Sequence, residues 1–127
     1  MSEPLPPLER RIDLPQMIAY AGATWDWHRI HYDQAYLDSK QLPAPVVDGQ
    51  VFGALLAEQL LGWAGPAWRL AALDFRFANL VFAGETVRCE LEVTDRDEQR
   101  ITVAGRVVVV EDGRAAVSKA SAELVRR

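Results

Sequence analysis

Two imidazoles and two carboxylates fall within eight residues, Asp26-Trp27-His28-Arg29-Ile30-His31-Tyr32-Asp33. They follow Gly22, a helix stop by residue type, and so belong to a loop, where working polar groups tend to sit on a rigid scaffold. Asp26 and His31 are five apart, a spacing that lets a loop bring both side chains onto one point, such as a shared water. A carboxylate beside an imidazole fixes the ring's tautomer or shares that water, which is the apparatus of general acid–base chemistry. The same two residues serve equally well as a turn cap (Asp26) and a packed histidine with one hydrogen bond (His31). His28 reads as structural. No cysteine and no third ligand stand near His28 and His31, so the spacing does not point to zinc, and neither metal nor cofactor is expected.

Three helices and a run of strands must position these groups. Asp13-Leu14-Pro15-Gln16 opens the first helix: Asp13 suits the N-cap, Pro15 the first turn, and Gln16 the capping-box position. Asp33 suits the cap of a short second helix, Gln34–Lys40. The third starts at Asp48-Gly49, runs over Gln50–Trp63 with Gln50, Glu58 and Gln59 as its only polar side chains, and stops at Gly62, Gly65 and Pro66. A helix apolar nearly all round is expected to be enclosed. After it Leu73, Phe75 and Phe77 alternate with other residues, as do Val87, Cys89, Leu91 and Val93. Ile101–Val110 is rich in valine, and Ala115–Val125 alternates small with polar residues. Asp95–Gln99 and Asp112-Gly113 read as hairpin turns. One buried helix followed by an antiparallel meander predicts an α+β fold: a hot-dog domain, with the long helix wrapped by a curled sheet. A generic α+β sandwich fits this order nearly as well.

The chain has 127 residues, which predicts a single domain over 1–127 with room for a real core. Fourteen Lys/Arg against eighteen Asp/Glu give a net charge of −4 without a basic run. That balance argues against nucleic acid or an anionic membrane as partner. Cys89 is the single cysteine, so no internal disulfide is possible. The proline-broken N-terminus does not read as a signal peptide, and no apolar run approaches the ~20 residues of a membrane span. The expectation is a soluble, cytoplasmic protein.

The segment from Asp26 to Asp33 resembles the hydratase-2 motif of the MaoC-like dehydratase family, the (R)-specific enoyl-CoA hydratases, which runs Asp-x-Asn-Pro-(Ile/Leu)-His-x-Asp. Pro45-Val46-Val47-Asp48-Gly49 is similar to that family's Pro-(Ile/Val)-(Val/Ala)-His-Gly at the start of the central helix. Leu73–Thr94, with Phe75-Arg76-Phe77 and Phe82-Ala83-Gly84-Glu85-Thr86-Val87, resembles its strand, turn and strand. The likeness covers about residues 12–95. Three positions depart from the pattern. His28-Arg29 replaces Asn-Pro, Asp48 replaces the usual His, and Ala57 stands where short-chain members carry Ser.

The resemblance implies reversible syn addition of water to a trans-2-enoyl thioester, giving an (R)-3-hydroxyacyl thioester in fatty-acyl or related lipid or steroid side-chain metabolism. Asp26 and His31 are then the catalytic pair. Gly49, at a helix N-terminus, lets the thioester oxygen approach free N–H groups as an enolate develops. Trp25, Trp27, Phe52 and Ala57 are expected to line a roomy acyl pocket. The implied partners are an acyl thioester, on coenzyme A or on acyl carrier protein, and a second subunit, with a homodimer favoured over a heteromer. Two other readings stand beside this one. A hot-dog thioesterase would use Glu58 on the long helix, and a catalytically silent subunit of a heteromeric dehydratase would only shape an acyl pocket.

Overall fold

The computed structural model describes residues 3–127. In chain order the elements are β1 (Glu3–Pro4), β2 (Leu8–Arg11), α1 (Leu14–Thr24), a 3-10 turn (Arg29–His31), α2 (Gln34–Ser39), α3 (Gln50–Ala64), β3 (Trp68–Phe77), β4 (Thr86–Arg96), β5 (Arg100–Val109) and β6 (Ala115–Arg126). The strands form one antiparallel sheet in the order β1-β4-β5-β6-β3, with β2 also on β4. The curled sheet carries α3 on its inner side, as expected of a hot-dog domain.

Period-two alternation puts Val87, Cys89, Leu91 and Val93 of β4 inward, and all four are buried. They meet Phe52, Leu55, Leu56 and Leu60 of α3 in one core, which Ile101, Val103, Val117 and Leu124 complete. On β5, register irregularities between Gly105 and Val107 and between Val107 and Val108 break the alternation, and Val107, Val108 and Val109 are all buried. Gly105 lies so close to β4 that a Cβ there would stand 1.8 Å from the Glu90 carbonyl oxygen. The lack of a side chain lets the two backbones approach.

Two expectations about the elements need correction, and the N-terminus adds strands to them. The helix α1 does not stop at Gly22 but continues to Thr24, where Trp25 adopts a left-handed conformation (φ 58°) and returns its N–H to the Ala21 carbonyl. A mid-helix glycine weakens a helix without ending it. The helix α3 is not enclosed all round: Ala54, Glu58, Leu61 and Gly62 form an exposed stripe opposite the sheet. The N-terminal segment adds two short strands to the edge of β4, with Leu8 opposite Cys89. An edge strand tolerates proline because its outward N–H needs no partner. Buried Gln59 ties this segment down, its Nε2 donating to the carbonyls of Pro6 (3.0 Å) and Cys89 (3.1 Å).

Candidate active site

The sequence from α1 to α3 folds so that three polar side chains converge. The capping box predicted at Asp13 and Gln16 is present and sets where α1 begins. At its other end the N–H groups of Trp25 and Asp26 both turn back to the Ala21 carbonyl, which swings the chain out of the helix. His28 Nδ1 then accepts the Ile30 N–H (3.1 Å), capping the 3-10 turn that carries His31. Asp33 caps α2 through the Tyr36 N–H and holds the Arg29 guanidinium at 2.8 Å. Two members of the charged segment, His28 and Asp33, therefore build the loop, and the other two face inward.

His31 Nδ1 lies 2.6 Å from the carbonyl oxygen of Val46. A carbonyl can only accept, so Nδ1 carries the proton and the neutral ring keeps its lone pair on Nε2. Val46 is itself fixed, its N–H donating to the Ile30 carbonyl at 3.0 Å. Nε2 stands 4.0 Å from Asp48 Oδ2, and one polar atom from each of Asp26, His31 and Asp48 lies within 4.8 Å of the others. Met17, Tyr20, Ala21 and Val51 close the rest of a cavity of about 10 Å³, about the room one water molecule needs. Asp48 also accepts the Gln50 N–H through Oδ1 (2.9 Å), which ties it to the first residue of α3 while it faces the cavity.

The carboxyls are not equivalent. Polar contact with the Asp48 carboxyl holds Asp26 below the ordinary aspartate value, with further help from the His28 N–H and the His31 ring. Burial raises Asp48, and the neighbouring Asp26 adds to the rise. A proton on this pair therefore resides on Asp48 and leaves Asp26 ionised. Burial and then the charges of Asp48 and Asp26 raise Tyr20, so its phenol stays a hydrogen-bond donor. Sequence reasoning did not include Asp48 or Tyr20 in the site. The signal for Asp48 was its position directly before Gly49, in place of a histidine. Asp48 is also the third ligand whose absence argued against a metal: this trio has the spacing of a small cation's shell, and equally that of a proton shared through one water.

Two larger cavities flank the trio. One, of about 310 Å³, is bordered by His31, Val47, Gly49, Phe52, Phe77 and Leu80. The other, of about 260 Å³, lies between α1 and α3. Gly49 starts α3, and its N–H has no acceptor among the described residues. A Cβ at Gly49 would meet the Phe77 ring at 2.4 Å, so an intramolecular contact already requires this glycine. Phe52 is buried beside it. Ala57 is half-buried on α3 and borders none of these three cavities. Trp25 and Trp27 border none of them either. Trp25 is 80% exposed, packed edge-on against Trp27, which packs in turn on Tyr32. Glu58 pairs with Arg10 on the exposed stripe of α3, away from the trio.

The family model described as MaoC like domain matches residues 2–114. An (R)-specific enoyl-CoA hydratase of Aeromonas caviae is 28% identical over 116 residues, covering 87% of this chain and 84% of that protein. Among solved structures, the ChsH1-ChsH2 complex from Mycobacterium tuberculosis superposes with a TM-score of 0.88 at 25% identity, over 99% of this chain and 97% of the matched chain. The A. caviae (R)-hydratase involved in PHA biosynthesis gives 0.87 at 23% identity, over 100% and 95%.

Proposed function

The chain belongs to the MaoC-like domain family, and we propose that it is a hydro-lyase interconverting trans-2-enoyl and (R)-3-hydroxyacyl thioesters. The observation that carries this reading is the shared, water-sized space between ionised Asp26 and the Nε2 lone pair of His31. The named activity of the A. caviae relative supports it.

In the hydration direction a water held between Asp26 and His31 attacks C3. Its oxygen forms the new C–O bond as one O–H bond breaks, and the proton passes to His31 Nε2 or Asp26. The C2=C3 electron pair moves toward the thioester carbonyl, whose oxygen becomes an enolate. The unpaired Gly49 N–H and the positive end of α3 stabilise that charge. The proton then returns to C2 on the same face, restoring the carbonyl and the resting site. The cavity bordered by Gly49 and Phe52 takes the thioester end, with coenzyme A or acyl carrier protein as carrier. Assembly with a second chain belongs to the same proposal, and the two-chain ChsH1-ChsH2 relative supports it. So does a cytoplasmic location, to which the lone buried thiol of Cys89 is suited.

Asp26→Asn and His31→Gln are each expected to cut hydration of an enoyl-CoA at least ~10²-fold, read as loss of the conjugated thioester absorbance, with circular dichroism unchanged. Activity is expected to survive exhaustive chelation. Near-normal turnover in either variant would sink the assignment, and loss of activity on chelation would make the trio a metal site.

A further inference from the structure

The cavity between α1 and α3 lies beside the trio's, and Met17, Tyr20 and Val51 line both spaces. Beyond them its sides are apolar, formed by Ile12 before α1 and by Ala54 and Leu55 on α3. Its far end is polar: Arg10 from β2 reaches across to Glu58 on α3, and the two carry an ion pair with Gln16 beside it. Along α3 the span from Val51 to Glu58 is seven residues, about 10 Å at the helical rise.

We infer that this groove takes the acyl chain of the thioester, and that the Arg10–Glu58 ion pair is the end-stop that sets the accepted length. The inference rests on the hydratase reading and adds a substrate class to it: straight enoyl chains of medium length. With C3 at Asp26 and His31, the carbons beyond C4 lie against Val51, Ala54 and Leu55. A chain longer than the groove meets two charges that must then lose their partner or their water. A short chain leaves the apolar walls unfilled. Glu58 thereby acquires a role other than the nucleophile or base of a thioesterase, since it points at the tail of the substrate and away from the carbonyl. Both charged side chains are substantially solvent-exposed (39% and 51%), so opening the pair tests selectivity with little effect on the fold.

The test is kcat/KM for crotonyl-, trans-2-octenoyl- and trans-2-dodecenoyl-CoA in three proteins: the native chain, Ala54→Trp, and the double variant Arg10→Ala/Glu58→Ala. Filling the groove with Ala54→Trp is expected to lower the octenoyl-to-crotonyl ratio at least about tenfold. Opening the end is expected to raise the dodecenoyl-to-octenoyl ratio by a similar factor. An unchanged first ratio overturns the groove as the acyl site, and an unchanged second ratio overturns the end-stop. Calorimetric binding of the saturated butyryl, octanoyl and dodecanoyl esters to the same proteins separates this inference from the reading beneath it. Absent turnover with length-dependent binding that responds to both variants refutes the hydratase and keeps the groove. Binding indifferent to length and variant refutes the groove.

Discussion

At His31 one hydrogen bond decides what the ring can do. Because the Val46 carbonyl takes the Nδ1 proton, Nε2 is the atom presented to the cavity, where it can accept a proton from water. The paired carboxyls extend that logic. Falling pH removes the ionised partner as it passes through the lowered value of Asp26. Rising pH adds a second negative charge as it passes through the raised value of Asp48. The contributions to stability have opposite signs: that of Asp26 is lost as pH falls through its folded value, that of Asp48 as pH rises through its own. In a carboxyl-carbon NMR titration, Asp26 is expected to change below the ordinary aspartate value and Asp48 above it. Asp48→Asn keeps a donor facing Asp26 and should leave Asp26 low, whereas Asp48→Ala should move it upward and lower kcat more than Asp48→Asn does. The idea fails if Asp26 titrates identically in all three proteins. Asp26 and His31 were legible in the sequence because both lie on one short segment. The place of Asp48 beside them was not, since they stand seventeen and twenty-two residues earlier, and only the fold of α1 and the 3-10 turn brings them together.

The elements were legible where a local rule decides them, as with the capping box at Asp13, the Asp33 cap and the alternation of β4. They were obscured where tertiary packing decides. Gly22 has the residue type of a stop, yet the backbone bonds to the Ala21 carbonyl end α1 two residues later. At the start of α3, Gly49 and Gly53 face the rings of Phe77 and Phe75, so β3 crosses the helix through two gaps that side chains would fill. This gives Gly49 two separable reasons to be glycine. Gly49→Ala is expected to lower kcat at least ~10-fold, the scale of a weakened oxyanion donor. Gly49→Ala with Phe77→Leu relieves the ring contact and leaves the methyl at the start of α3. If the enolate needs that approach, the double variant recovers thermal stability and not kcat. Recovery of both would reduce Gly49 to a packing residue.

At the scale of the whole molecule, the two edges of the sheet are treated differently. The β4 edge is covered by β1 and β2, while the outer side of β3 pairs with no strand among the described residues. An unpaired, ten-residue edge is a template for another chain unless something blunts it. Here nothing apolar is hidden: Phe77 at the end of β3 is 55% exposed and Leu80 just after it 48% exposed. Both residues also border the cavity that contains Gly49 and Phe52, so a chain docked along β3 would wall that cavity. Composition could not reveal this, because an alternating strand looks the same whether its edge is buried or free. The expected outcome is a stable dimer at micromolar concentration, with a light-scattering mass about twice the 14.2 kDa of the chain. Phe77→Lys places a charge on the exposed apolar edge and is expected to shift the population toward monomer, with activity falling in parallel. A native 14.2 kDa monomer with full turnover would separate the site from the edge and leave β3 merely exposed. A dimer that survives Phe77→Lys with activity intact would move the contact elsewhere, to the exposed Trp25–Trp27–Tyr32 cluster or to the α3 stripe around Leu61.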